Sequence, residues 1–112
     1  MARSVAGALR ANAEVFAALG DETRLGLLAS LLQGEPRSIV QLTEGTRLTR
    51  QAVTKHLRVL EGVGVVRAQR VGRESRFTLD PRPLVDAQTY LDHVAKQWDN
   101  ALLRLKALVE GP

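Results

Sequence analysis

Up to residue 62 the apolar positions of this chain recur three and four apart, the period of a helix; from residue 65 to 79 they alternate. The first helical stretch covers about Ala11–Leu19, and a start as early as Val5 also fits, because Val5, Leu9, Phe16 and Leu19 share one side. Gly20 interrupts it. Asp21 stands at an N-cap position, with Glu22 suited to the positive end of the dipole. A second helix is expected to run to about Gln33, with Leu25, Leu28, Leu31 and Leu32 as its buried stripe, and Gly34 ends it. Glu35-Pro36-Arg37 reads as a turn, with room for a short strand at Arg37–Ile39. Ser38 suits the cap of a short third helix through about Glu44, burying Ile39, Val40 and Leu42. Gly45-Thr-Arg-Leu48 forms the next turn, and Thr49 caps a fourth helix.

That fourth helix, Leu48–Glu61, has two unlike faces. Val53, Leu57 and Leu60 stand at i, i+4 and i+7 and make an apolar stripe. Arg50, Gln51, Thr54, Lys55 and Arg58 occupy the remaining surface at helical spacing. All five donate hydrogen bonds. In a DNA major groove, Arg and Lys pair with guanine, Gln pairs with adenine, and all of them reach phosphate. A polar outer face is by itself an ordinary solvated face, and the residues after Gly64 give it a more specific meaning. Val65–Val71 and Ser75–Leu79 read as two strands joined at Gly72-Arg-Glu74, with Phe77 and Leu79 alternating against Arg76 and Thr78. The hairpin bears Arg67, Arg70, Arg73 and Arg76 against the single acid Glu74. A cationic hairpin behind a cationic-faced helix is the layout of a winged helix-turn-helix domain, in which the hairpin touches flanking backbone or minor groove. The expected class is mainly α (α+β): about five helices, a two-stranded wing and a long last helix, in a single domain over residues 1–112.

Asp80-Pro-Arg-Pro83 stops the hairpin, and proline is tolerated in the first turn of the next helix. From Leu84 to Val109 there is neither Gly nor Pro. Leu84, Ala87, Leu91, Val94, Trp98, Ala101, Leu105 and Leu108 alternate three and four apart, an unbroken heptad pattern. Such a helix is about 39 Å long, beyond the reach of a compact domain with a radius of gyration of about 13 Å. Either it lies across its own domain or its outer part meets another molecule. A homodimer fits the second case, with Leu9, Phe16, Leu91, Val94, Trp98, Leu102 and Leu105 at the interface. Two copies then read two related half-sites.

Charge sharpens the picture. The net charge is +4, but residues 47–76 alone carry eight Lys or Arg against two acids. The cations are therefore gathered where DNA contact is expected, and such a patch makes binding fall with salt. There is no cysteine, so no disulfide, thiolate metal site or thiol nucleophile. The first residues hold Arg3 but no apolar leader core, and no run of apolar residues is long enough to span a membrane. A cytoplasmic location is the default. No catalytic constellation is visible: Ser30, Ser38 and Ser75 lack an identifiable His and Asp arrangement. No cofactor is expected. His56, beside Leu57, reads as a packing or hydrogen-bonding residue, and His93 as solvated. Asp86 and His93 stand seven apart and share a face, but a metal there needs ligands from a second subunit.

Three blocks resemble the ArsR/SmtB family of bacterial winged-helix repressors. Leu19-Gly-Asp-Glu-Thr-Arg-Leu25, with Leu28 and Leu31, is similar to the family's DPTRLxIL opening of the second helix. Leu48–Leu60 with Gly64 resembles its recognition helix. Arg70-Val-Gly-Arg73, with Phe77 and Leu79, resembles its wing. Trp98-Asp99, with Leu102 and Leu105, looks like a subgroup lacking the metal-binding cysteines. The resemblance implies a dimeric repressor on a partly palindromic operator, with Thr49, Arg50, Gln51, Thr54, Lys55 and Arg58 at the groove. Many members release DNA when thiolates on the third helix bind metal; here that helix reads Ile39-Val-Gln-Leu-Thr-Glu44 and has no thiol. Two other readings stay open. One adds a small-molecule effector held at the interface around Trp98. The other is a winged helix that binds an acidic protein partner and no DNA.

Overall fold

Three short polar side chains start three of the helices in the computed structural model, which describes residues 5–111. Arg3, weighed against a leader, lies outside them. Asp21 accepts from the backbone N–H groups of Thr23 at 3.0 Å and Arg24 at 3.3 Å. Ser38 accepts from Gln41 N at 3.2 Å while the Gln41 carbonyl oxygen accepts from Ser38 N at 2.9 Å, a reciprocal capping box. Thr49 accepts from Ala52 N at 3.1 Å. The elements they delimit run α1 (Val5–Leu19), α2 (Glu22–Ser30), β1 (Arg37–Ser38), α3 (Ile39–Glu44), α4 (Arg50–Gly62), β2 (Val66–Val71), β3 (Glu74–Leu79) and α5 (Arg82–Glu110). The longer reading of the first helix holds, from Val5. No helix among the described residues is long and apolar enough to cross a membrane.

β2 and β3 form the expected antiparallel hairpin, with Val66 opposite Leu79 and Val71 opposite Glu74. Its two-residue connection needs a positive φ, and Gly72 supplies it at +64°. The sheet is larger than a two-stranded wing. β1 adds to the other edge of β3, pairing Arg37 with Phe77 and Ser38 with Arg76, so β3 is central in the order β1-β3-β2. This covers the base of the hairpin and leaves its tip free.

The core gathers Val15 and Ala18 of α1, Leu27 and Leu28 of α2, and Leu42 of α3. Val53, Leu57 and Leu60 of α4, Val66 of β2, Phe77 of β3 and Ala87 of α5 complete it, with Leu31 and Val65 from the connections. The α4 stripe is therefore as the spacing predicts. The α2 stripe is not. Leu27, Leu28 and Leu31 are buried, whereas Leu25 is 51% and Leu32 68% exposed. α2 also ends at Ser30, and Gly34 takes φ +83° in the turn beyond. Five leucines between residues 25 and 32 leave the buried face undecided by spacing. Packing against α1 and α4 selects Leu27 in place of Leu25. Val40 is likewise exposed rather than buried, because a six-residue helix brings only Leu42 and part of Ile39 to the core.

α5 sets the overall shape. It has 29 residues, yet Ala87 is its one buried side chain, and it packs along α1, where Phe16 meets Tyr90 at a ring separation of 6.2 Å. Beyond that point it projects outward. The molecule measures 70 × 37 × 22 Å with a radius of gyration of 18.8 Å, against about 13 Å for a compact domain of this size.

Leu57 is fully buried at the centre of the α4 seam. Leu57→Ala is expected to cost about 2–5 kcal/mol in chemical denaturation. Leu32→Ala, at a solvated position, is expected to change stability by less than about 0.5 kcal/mol. Equal losses from the two would contradict this placement of the core.

Candidate nucleic-acid interface

Burial of Val53, Leu57 and Leu60 forces the opposite side of α4 outward. Arg50, Gln51, Lys55 and Arg58 are exposed there, and Thr54 is half-buried. Arg50, Gln51 and Thr54 line one cleft of about 340 Å³ together with Arg73, Glu74 and Ser75 from the hairpin. The first turn of the helix and the tip of the wing thus face each other across a single opening. Thr49, Lys55, Arg58 and Arg70 lie outside this cleft. Thr49 is at the helix N-terminus with its oxygen committed to the cap, and its O–H remains a donor. Thr54 donates its hydroxyl to Arg50 O at 2.7 Å, which leaves it an acceptor.

The cations divide into paired and unpaired. Arg58 bonds Glu61 at 2.7 Å. Arg76 bonds Glu74 at 2.9 Å. Arg70 donates to Gly72 O at 3.3 Å near the tip. Arg67 is held by Asp80 at the hairpin base, with Nε and Nη2 both 3.0 Å from Oδ2. The reading of the hairpin as four arginines against one acid therefore misses Asp80, which comes after the strand in sequence but folds back onto it. Among the described residues, Arg50, Gln51, Lys55 and Arg73 make no side-chain hydrogen bond or ion pair. Arg47, exposed in the turn before α4, makes none either, and sequence reasoning had counted its charge without placing it at the interface. An unpaired Arg or Lys is free to neutralise phosphate without first breaking an internal bond.

Two anchors hold this surface in place. Arg24 of α2 donates to the carbonyls of Ala17 and Ala18 at the end of α1 and lies 3.3 Å from His56 Nδ1 on α4. His56 is thereby a bonding partner that joins α4 to the α1–α2 corner, which suits the reading made from its neighbours. Asp80 is the second anchor. Its carboxylate also accepts from Arg82, at 3.1 Å from the backbone N and 2.7 Å from Nη2. The Arg82 side-chain bond, then its backbone N–H, hold the Asp80 carboxyl far below the usual carboxylate range, against the opposing effect of desolvation.

The residues assigned to pairing of two copies are also placed. Leu9, Leu91, Trp98, Leu102 and Leu105 are exposed, Trp98 at 65%. Val94 is half-buried, and Phe16 turns toward its own core and Tyr90. Val94, Gln97, Trp98 and Ala101 line a shallow depression of about 240 Å³ formed by α5 alone. His93 is exposed, with Gln97 3.4 Å from its ring. Among the described residues no group of three or more His, Asp or Glu could hold a metal ion.

A helix-turn-helix domain family matches residues 19–69, from the end of α1 into β2. The repressor SmtB of Mycobacterium tuberculosis is 30% identical over 94 residues, covering 84% of this chain and 67% of that protein. A solved ArsR-like transcriptional regulator from Rhodococcus sp. RHA1 is 34% identical, with a TM-score of 0.80 over 91% of this chain and 95% of that one. The chain belongs to the ArsR/SmtB family. A third likeness is to the homodimeric winged helix-turn-helix DNA-binding domain of Mb0332 from Mycobacterium bovis, 27% identical, with a TM-score of 0.65 over 91% and 94% of the two chains. The ArsR/SmtB proteins are transcriptional regulators rather than enzymes, and the chain has the winged helix-turn-helix fold of that family.

A depressed carboxyl stabilises the fold at pH values above its unfolded-state titration, and the contribution is lost as pH falls toward the lowered value. Asp80→Asn is therefore expected to lower the Tm near neutrality. It is also expected to flatten the decline as pH falls below about 5, so that the two Tm curves converge in acid. Parallel curves across that window would contradict the pairing.

Proposed function

We propose that two copies of this ArsR/SmtB protein bind a partly palindromic operator and repress transcription by excluding polymerase. The observation that carries this reading is the shared cleft: Arg50, Gln51 and Thr54 on α4 and Arg73 on the wing open onto one space. With α4 in the major groove, Arg50 and Gln51 reach base edges, while Thr49, Lys55 and Arg58 reach bases or backbone farther along. Arg70 and Arg73 contact flanking phosphate or the minor groove. The unpaired state of Arg50, Lys55 and Arg73 supports base and phosphate contact over internal roles. The same cations would serve an acidic protein partner, but such a partner gives no base preference, so comparison with shuffled DNA separates the two.

Pairing of two copies rests on α5. Its outer half presents Leu91, Trp98, Leu102 and Leu105 to solvent over a helix that leaves its own core behind. A stripe of this size on a soluble chain marks an interaction surface. α1 packs along α5 and carries Leu9 exposed on its surface. A dimer places the two α4 helices on half-sites about 34–36 Å apart or a multiple of that. The reading is of one domain, acting in the cytoplasm without a bound cofactor.

Arg50→Ala or Lys55→Ala is expected to cost about 1–3 kcal/mol on the operator if the side chain reads a base. Arg73→Ala is expected to weaken binding to all duplexes and lower the salt slope by about one. Fluorescence anisotropy against salt measures both, and unchanged isotherms for all three variants would defeat the assignment. Leu105→Asp, far from the core, is expected to yield a folded monomer in sedimentation and to lose operator binding. A dimer that persists unchanged places the pairing surface elsewhere.

A further inference from the structure

The tip of the β2–β3 hairpin, unlike its base, has no strand beside it. On β2 only Val66 is buried, and every residue from Arg67 to Val71 is exposed. On β3 the deepest anchor is Phe77, and β1 reaches no farther toward the tip than Arg76. Beyond that line the backbone of the wing that carries Arg73 is paired only within the hairpin. Its direction is therefore set at its base, where one acid does three things at once. The Asp80 backbone N–H donates to Val65 O at 2.9 Å, at the junction of α4 and β2. Its Oδ2 accepts from Arg67 of β2 at 3.0 Å. Its Oδ1 accepts from the Arg82 backbone N at 3.1 Å, in the first turn of α5. The carboxylate is close to buried at 8% exposure, while the side chains of Arg67 and Arg82 are mostly exposed.

We propose that Asp80 is a positioning residue for the wing: by joining β2 to the first turn of α5, it sets the angle at which Arg73 faces Arg50, Gln51 and Thr54. The inference rests on the DNA-binding reading and adds to it a specific source of geometry. An isolated exposed ion pair contributes little and holds nothing in place. Here one nearly buried carboxylate accepts from two arginines and a backbone N–H, so moving the hairpin breaks several charge-assisted bonds together. Because α5 is also the pairing helix, the same carboxylate relates each wing to the partner copy. A purely structural Asp80 would lower stability and leave the contribution of Arg73 to DNA binding intact. A positioning Asp80 makes that contribution depend on it.

The test uses the full chain and a duplex spanning the region upstream of its own gene, with a shuffled duplex as control. Arg73→Ala is combined with Asp80→Asn and, separately, with Arg67→Ala, whose exposed side chain can be removed without opening the core. Arg73→Ala alone is expected to weaken binding about tenfold. Asp80→Asn or Arg67→Ala is expected to cost a similar factor, and adding Arg73→Ala to either should cost less than about twofold more. Without DNA, amide hydrogen exchange over residues 68–76 is expected to quicken in both variants while residues 85–91 keep wild-type protection. A full tenfold loss from Arg73→Ala in both backgrounds overturns the proposal, as does unchanged exchange in the wing. If the wild type does not prefer its own duplex to the shuffled one, the operator reading falls. The exchange measurement then decides Asp80 alone: quickened exchange confined to the wing supports it, and unchanged exchange overturns it.

Discussion

The proposed DNA-reading surface exists because one side of α4 is out of water. Val53, Leu57 and Leu60 are fully buried, with Phe77 of the central strand in the same core. Burying a side chain of this kind stabilises the fold by about 1.5–3 kcal/mol, so turning the helix about its axis would forfeit several such contributions at once. With the apolar side held, the donor-bearing side has one direction left. Thr49 fixes where the helix begins, and Arg24 with His56 ties it to the corner between α1 and α2. Arg50 and Gln51 stand in the first turn, where small errors in the start of a helix would move them most.

Electrostatics then selects among the cations that this frame displays. Glu61, Glu74 and Asp80 each neutralise an arginine, at the end of α4, along the wing and at its base. Arg50, Lys55 and Arg73 keep their charge unmatched, and Arg50 and Arg73 flank the opening between helix and hairpin. The useful quantity is thus the pattern of unmatched charge. The net charge of residues 47–76 overstates it, because Asp80 lies outside that segment and still pairs with Arg67 within it.

α5 joins both themes. Its first turns pack beside α1 and receive the Asp80 bonds, so the helix is rigidly referred to the recognition surface. Its outer half carries apolar side chains that none of the described residues covers. An amphipathic helix in water reaches a stable arrangement by covering that stripe. The part of the helix proposed to fix the wing and the part proposed to meet a second copy are one continuous rod.

Much of this was legible in the residues alone. Thr49, Ser38 and Asp21 announce helix starts through capping chemistry that is local. The stripe Val53-Leu57-Leu60 and the alternation around Phe77 need only the periods of helix and strand. The heptads of α5 already exceed what a chain of 112 residues can cover. Other features depended on neighbours distant in sequence. Which leucines of α2 turn inward was undecided until α1 and α4 packed against it, since both faces of that helix are rich in leucine. The addition of β1 to β3, the bond from Arg24 to His56, and the gathering of Arg50, Gln51 and Thr54 with Arg73 join segments far apart along the chain. Asp80 lay in plain view between Leu79 and Pro81 as a residue that ends a strand. Periodicity determines which side of an element is apolar, because that results from bond geometry within the element. Which charges remain free, and which surfaces meet, is decided only when separate elements are brought within a few ångströms, where hydrogen bonds and ion pairs form.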